Sequence, residues 1–574
     1  MILLTDIMQT FSKMYSECGD HLITDNYRLD EGTYILVSED GTIRQEDVLE
    51  ISKKNYDEVN AGKFVEKDYL SKLLDMNKPI DKSKTIHSNN YFSFWIKKNN
   101  IKEKLNKETI EEYYNILLYP RLKYLKSELY DMVENDIGVP DKYIIEKNRD
   151  WILENIFSLL DINHINYDNS YLKIYFDADI KQYEKENKRY MLPNVYNSAD
   201  YNIKINDIIF GMPNNNMGLN SKKPYLMNKS RKVSTPYLIS QDEVLMQKKL
   251  FDYLYNYAND GKTNIYVDDK VIDAVSDTYL LDRAFSGNFL RLKKGKEVEI
   301  HDYDNIVFYS PELNNFELKQ VITVNSVFNY LDKENLNYGK IYKISDLQNF
   351  INALFFNKFL VNNYFTDPKD IRLNDSVIKE ELIKCRIGYF NWFYKGNINV
   401  IKSLFEKSSL RLIKNSVSNG YNPKALEQFN LREAILDYFG GERRMAERLD
   451  SVYEELREKL KGKEINSLIN DDEYYFALGQ ITYYLLSKNR SASKKQSLIN
   501  PIINCSNYEI LLQKIKALYK KYNYDIEFSQ LSLKFNYLYS MILRYIPENK
   551  KVNDDILLAG FLSKNIIYEK EGEK

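Results

Sequence analysis

The residues best suited to do chemistry in this chain lie in one stretch, Ile208 to Gln241, which reads IIFGMPNNNMGLNSKKPYLMNKSRKVSTPYLISQ. The 574-residue chain holds 81 Lys+Arg against 83 Asp+Glu, yet this stretch has no acid and carries Lys222, Lys223, Lys229, Arg231 and Lys232. A cation with no neighbouring carboxylate can neutralise a phosphate and release its counterion. Asn214, Asn215, Asn216, Asn220 and Asn228 each add a donor and an acceptor on one planar amide, which suits a base edge. Gly211, Pro213, Gly218, Pro224 and Pro236 mark the stretch as loop. The plainer reading is a long solvated loop in which Asn only turns the chain.

Two further segments share this character. Ser487 to Ser497, SKNRSASKKQS, carries Lys488, Arg490, Lys494 and Lys495 without an acid. Lys78 to Asn90, KPIDKSKTIHSNN, is polar and basic and runs into the aromatics Tyr91 to Trp95. It suits either backbone holding with base stacking or a loop feeding a buried strand.

Carboxylate pairs occur at Asp177/Asp179, Asp268/Asp269 and Asp302/Asp304, the last just after His301. Metal-dependent nucleases gather carboxylates around divalent ions, so HDYD and DAD leave a nuclease open. Two acids two residues apart are common by chance at this charge density, and turns at strand ends are the simpler expectation. Phosphate-loop, dinucleotide and nucleophile-elbow glycine motifs are absent. No Cys/His pair has zinc-ligand spacing, so neither a cofactor nor a metal is expected.

The near balance of charge confines any polyanion site to a local patch. Three cysteines, Cys18, Cys385 and Cys505, are odd in number and far apart, which fits a reducing cytoplasm. No apolar run reaches membrane-span length, and the first residues do not read as a signal peptide. The 49 tyrosines suit half-wet surfaces and stacking, although AT-rich codon usage explains them as well.

The elements that must position these residues follow from periodicity. Ile2 to Cys18 reads as a helix stopped by Gly19. Leu22 to Arg28, Thr33 to Val37 and Thr42 to Arg44 are strand-like. Lys107 to Asn135 and Asp141 to Leu160 look like two long amphipathic helices. Tyr171 to Phe176 and Tyr201 to Phe210 read as strands, and Gln241 to Ala258 as a helix. Short strand signals recur to Val324, the last at Lys319 to Val324. After Ser345 helical periodicity dominates: Asp346–Val361, Ser376–Tyr394, Ile398–Asn415 and Pro423–Phe439, then, past Gly440-Gly441, Arg444–Leu460, Asp472–Leu486, Asn507–Tyr522, Ser529–Tyr545 and Asn553–Leu562. The predicted class is α+β: a mixed N-terminal region followed by an all-α bundle. The predicted regions are 1–340, a nucleic-acid-contacting α+β part; 341–440, a helical connection; and 441–574, the bundle.

The order of DNYRLDEGTYILVSEDGTI, KPIDKSKTIHSNNYFSF, GMPNNNMGLNSKKPYLMNKSRK and the helical tail with SKNRSASKKQSLINP resembles the large subunit of type I-B CRISPR interference complexes (Cascade), in the branch without a zinc site. The resemblance implies a non-enzymatic protein. It implies as partners a CRISPR RNA, target double-stranded DNA with its displaced strand, a repeated backbone subunit, a repeat-RNA endonuclease subunit and a recruited helicase–nuclease. The large subunit checks the motif beside the target and helps open the duplex, while RNA pairing reads the rest. A nuclease and a purely structural helical scaffold remain the competing classes.

The tail also resembles the small subunit of such complexes. Codons permitted for Gly440-Gly441-Glu442-Arg443-Arg444 include a purine-rich ribosome-binding sequence before the Met445 codon. A second product starting at Met445 is therefore expected, with Met445 alternatively just an apolar position on the first bundle helix.

Overall fold

The computed structural model describes residues 2–52, 55–214, 238–295, 298–324, 331, 336–441, 444–461, 466–489, 497–526 and 530–569. The chain divides into two compact units, residues 1–276 with 287–305, and residues 277–286 with 306–574. The mixed region therefore gives way to the helical one near residue 306 in terms of compactness. The 341–440 and 441–574 segments share one unit.

The first unit is built on a four-stranded mixed sheet, β1 (Gly32–Val37), β2 (Val48–Ile51), β3 (Ser93–Lys97) and β4 (Tyr171–Phe176), in the order β2-β1-β4-β3. β1 and β4 run parallel over six residue pairs, while β2 and β3 are antiparallel to their neighbours. Near-continuous burial along β1, β3 and β4 is what a sheet covered on both faces demands. On one face Phe94 meets Tyr113 and Phe176 meets Trp151, from the Lys107–Leu118 and Lys142–Asn155 helices. On the other, Phe64 of the Glu58–Ser71 helix packs on Tyr34 and Tyr175.

The hairpin β5 (Ile203–Ile205) and β6 (Ile208–Gly211) pairs with β7 (Ile239–Ser240) in a small antiparallel sheet. A second antiparallel sheet holds β8 (Asn264–Val267), β9 (Ile272–Val275), β10 (Phe285–Lys294) and β11 (Val298–Tyr309) in the order β11-β10-β8-β9. The Ile2–Cys18 and Gln241–Asn259 helices pack together through Phe11 and Tyr253, and Thr10 Oγ1 donates to Asp268 O at the end of β8 (2.6 Å).

In the second unit the helices Ile344–Leu354, Ser376–Lys395, Asn399–Ser418 and Asn422–Tyr438 precede Met445–Lys461, Asp471–Ser487, Tyr508–Tyr522, Gln530–Arg544 and Asp554–Leu562. Among the described residues no strand follows Gly339–Lys340, so the predicted α+β-then-α order stands. Four of these helix starts are set by side-chain caps. Asp375, Asn470, Asn507 and Asn553 each accept a first-turn backbone N–H.

Several N-terminal expectations give way. Leu22 to Arg28 is not a strand: His21–Thr24 is a helical turn, with Ile23 and Thr24 buried in succession rather than in alternation. Thr42 to Arg44 does not pair, because Asp40 captures Thr42 N and Oγ1 (3.0 and 2.7 Å) and competes with a ladder. The expected Lys107–Asn135 helix breaks at Pro120, where the ring cannot continue the i→i−4 pattern, and resumes as Glu128–Ile137. Lys319 to Val324 forms no strand; among the described residues the only pairing nearby, Glu317–Leu318, ends just before it.

Candidate nucleic-acid interface

The acid-free stretch leaves the small sheet after β6 and re-enters it at β7, and both ends are gripped from beneath. β5 and β6 join through Asn206 and Asp207, both at positive φ (50° and 61°), the two-residue turn that matches strand twist. Tyr196 O–H lies between the two strands through which the stretch passes, within hydrogen-bond distance of Ile209 O (2.8 Å) and Ile239 O (2.7 Å). Gly211 makes room for that ring: a Cβ there would lie 2.5 Å from Tyr196 Cγ and 2.6 Å from Asn202 Oδ1. Asn197 N donates to Met212 O and Asn214 N to Val195 O, zipping the exit to the chain around Tyr196. At the return, Ile209 N donates to Gln241 Oε1 (2.9 Å), and Ser240 with Glu243 forms a capping box that starts the next helix.

Two lysines brace this frame. Lys78 Nζ donates to Asn194 O (2.6 Å) and to Tyr196 O. Lys123 Nζ donates to Pro79 O, and burial lowers its amine to about 8, against the pull of Asp81 and with the push of Lys78. Lys204 on β5 reaches Glu128 (3.5 Å) from the neighbouring helix. The outer face of the hairpin is apolar and solvent-facing: Ile203 is 49% exposed, Ile205 54% and Ile208 41%. Ile205 and Ile208 stand directly opposite each other across the strands.

Of the predicted contact residues, Asn214 is placed in the frame itself, 3% exposed. Asn215, Asn216, Asn220, Lys222, Lys223, Lys229, Arg231 and Lys232 lie outside the described residues. In the second segment Lys488 caps the Asp471–Ser487 helix, with its ammonium 4.6 Å from the Tyr484 ring centre. Arg490, Lys494 and Lys495 lie outside the described residues. The Lys78–Asn90 loop feeds a buried strand. Asp81, Thr85, Ser88, Asn89 and Asn90 are buried, and Asn89 Nδ2 donates to Leu70 O and Lys72 O (3.0 and 2.8 Å). Sequence reasoning missed Tyr196, whose neighbours carry no motif. Its role exists only once β6 and β7 come together.

The acidic pairs are structural where the structure shows their contacts. Asp179 caps the Ile180–Asn194 helix through Lys181 N, and Asp268 closes the β8–β9 turn through Lys270 N and Val271 N. His301, Asp302 and Asp304 sit inside β11 rather than at a turn, because the hairpin with β10 continues past them. Among the described residues no three His, Cys, Asp or Glu side chains gather as metal ligands, and no helix is long and apolar enough to cross a membrane.

Set beside known proteins, the chain matches no family model, no curated protein and no solved structure.

Proposed function

We propose that this chain is the large subunit of a CRISPR RNA-guided DNA-targeting complex of the type I-B kind, acting in the cytoplasm in antiviral defence. It binds rather than cuts. The observation that carries the reading is the frame around Tyr196, which holds both ends of an acid-free Asn- and Lys-rich segment on a braced sheet. Specific recognition needs such preorganisation, since a floppy reader spends its contacts on ordering itself. Asn215, Asn216 and Asn220 read base edges beside the target, while Lys222, Lys223, Lys229, Arg231 and Lys232 hold phosphates. The exposed Ile203, Ile205 and Ile208 supply an apolar wedge of the kind that parts base steps. Lys488, Arg490, Lys494 and Lys495 guide the displaced strand. The partners are the CRISPR RNA, the target duplex, the repeated backbone and repeat-RNA endonuclease subunits, and a recruited helicase–nuclease that does the cutting.

Alanine at Asn215, Asn216 or Asn220 is expected to erase about 1–3 kcal/mol of discrimination per base contact, seen as a smaller difference in binding between targets with and without the correct adjacent motif. Alanine at Lys222 and Lys223 instead weakens binding to every sequence and flattens its salt dependence. Full discrimination retained by all three Asn variants would remove this segment as the reader.

The tail from Met445 is proposed to be made a second time as a separate small subunit. Met445 is 2% exposed and shares one buried face with Leu449, Val452, Leu456 and Leu460. Within the full chain this tail is tied to upstream helices, through Lys414–Asp554 (2.9 Å) and Arg432–Asp555 (3.2 Å). Met445→Leu preserves the packing, because Leu and Met exchange at under about 1.5 kcal/mol. The variant is expected to lose the small co-purifying product and keep the full-length chain. Mass spectrometry finding one species from the wild-type gene would refute the second start.

A further inference from the structure

The turn between the Lys107–Leu118 and Glu128–Ile137 helices points its charges inward and its apolar side chains outward. Tyr119, Leu122 and Leu125 are 52%, 64% and 73% exposed. The two cations among them are bound back onto the protein. Arg121 Nη1 donates to Asp131 (2.9 Å) and Arg121 Nε to Glu134 (3.1 Å), with the guanidinium 5.6 Å from the Tyr130 ring centre. Lys123 Nζ donates to Pro79 O. A solvated surface turn shows the reverse, cations in water and leucines tucked in.

The backbone sets this phase. Pro120–Leu122 is a 3-10 turn, and three-residue bonds run through it: Leu122 N to Tyr119 O (2.9 Å), Lys123 N to Pro120 O (2.9 Å) and Ser127 N to Tyr124 O (3.2 Å). Side chains three apart then stand on the same side. Arg121 and Tyr124 take the inner side, the Tyr124 ring stacked on Tyr130 at 5.5 Å. Tyr119, Leu122 and Leu125 take the outer side, spanning roughly 12 Å at about 2 Å per residue. Single exposed leucines need no explanation, but three apolar side chains on one braced ridge do.

The charges beside the ridge are spent on one another: Glu128 on Lys204 (3.5 Å), Asp131 on Arg121 (2.9 Å) and Asp136 on Lys188 (2.7 Å). Lys126 is the one exposed cation of residues 119–137 without an ion-pair partner among the described residues. A polyanion needs several free cations, so this ridge is not built for nucleic acid. An uncharged, apolar ridge is matched by an uncharged, apolar groove.

We propose that Tyr119, Leu122 and Leu125 are the anchor on which a separate protein docks, through an apolar groove with an uncharged rim on that protein. Apolar anchors one turn apart, laid into a hydrophobic groove, are a recurrent mode of protein recognition. The centre of such a contact takes aromatic and aliphatic side chains and sheds free charge. The braces at Arg121, Lys123 and Tyr124 hold the ridge in place before the partner arrives, so little ordering remains to be done on docking. This site rests on the chain working in a multi-protein assembly, and not on a guide RNA.

The test puts the photoreactive residue p-benzoylphenylalanine in place of Leu122 or of Leu125, in the tagged full chain made together with the products of its neighbouring genes. Irradiation is expected to join one and the same protein at both positions. That protein, purified, is then titrated against the full chain. Leu122→Ser with Leu125→Ser should weaken binding at least about thirtyfold, the effect of withdrawing two anchors from an apolar groove. Raising salt from about 0.1 to about 0.5 M should change the parent affinity by less than about threefold, since screening acts on charges and the ridge has none. Both leucines are solvent-facing, so the double variant should unfold at the parent's temperature. Crosslinks to nucleic acid, to a second copy of this chain or to nothing overturn the proposal. So does a double variant that binds the crosslinked protein as tightly as the parent. If the protein docks as expected but no guide RNA accompanies the assembly, the reading as a CRISPR subunit fails and the docking ridge stands.

Discussion

Asp68→Asn is expected to cost the first unit about 3–5 kcal/mol, the usual price of leaving one member of a buried ion pair alone. Asp68 is 0% exposed and its partner Lys173 is 2% exposed. Asp68 Oδ1 accepts from Lys173 Nζ (2.6 Å) and Tyr175 O–H (2.7 Å), and Oδ2 from Tyr27 O–H (2.6 Å). The sheet register places Tyr34 and Trp95 on either side of Lys173, with the ammonium 5.1 and 3.9 Å from their ring centres. One carboxylate therefore ties the Glu58–Ser71 helix to β4 and answers three donors in a buried layer. Burial, reinforced by the Asp68 charge, pushes the Tyr27, Tyr34 and Tyr175 hydroxyls well above their ordinary range, so they remain donors at any physiological pH. In Asp68→Asn the lysine charge stays in the layer with no counter-charge. Adding Lys173→Met should recover a large part of the loss, because an apolar side chain of that length needs no partner. Calorimetry of the full chain reads both shifts. A single variant as stable as the parent, or a double variant worse than the sum of its singles, would contradict this account of the layer.

Gly560→Ala in the second unit is expected to destabilise, although Gly→Ala inside a helix ordinarily stabilises by about 1 kcal/mol. The sign reverses because the Asp471–Ser487 and Asp554–Leu562 helices touch backbone to backbone. A Cβ at Gly560 would lie 2.2 Å from Phe476 O and 2.8 Å from Phe476 Cα, and one at Gly479 would lie 2.4 Å from Leu557 O and 2.5 Å from Phe561 N. No flexible side chain can yield at either point, so the helices must separate. Gln480, 0% exposed, then loses its contacts to Gly560 O (2.5 Å), Ile566 N (2.8 Å) and Asn565 Nδ2 (2.7 Å). Overpacking costs about 1–3 kcal/mol and each lost bond about 1 kcal/mol more, so a total of about 3 kcal/mol or more is expected. The same change should abolish the proposed small product of the tail, whose core would be this crossing. Unaltered thermal unfolding in both Gly479→Ala and Gly560→Ala would show that the helices can part at little cost.

The second unit was the more legible in sequence. From Ser376 to Leu562 the apolar period locates the long helices to within about three residues, because packing there follows local pattern, while the short Asn500–Ile503 helix shows no such period. The first unit hides two long helices. Ile180–Asn194 buries Glu186 and Arg189 against each other and contains Pro193, and Glu58–Ser71 buries Asp68, so both break the polar-out rule that reading depends on. Charge partners supplied from other elements have no local signature. The same holds for the candidate interface. The acid-free composition of Ile208 to Gln241 was visible at once, whereas the Tyr196 clamp and its Lys78 brace join residues far apart in the chain.

The central claim is that this chain works on DNA as part of a guide-RNA complex. The most direct measurement is affinity purification of the tagged chain from cells that also express its neighbouring genes, followed by sequencing of the bound nucleic acid. The account predicts one class of short RNA, each molecule a unique segment flanked by portions of a common repeat, retained through a high-salt wash together with further protein subunits. A chain that elutes alone, or with only a random sample of cellular RNA, would contradict it.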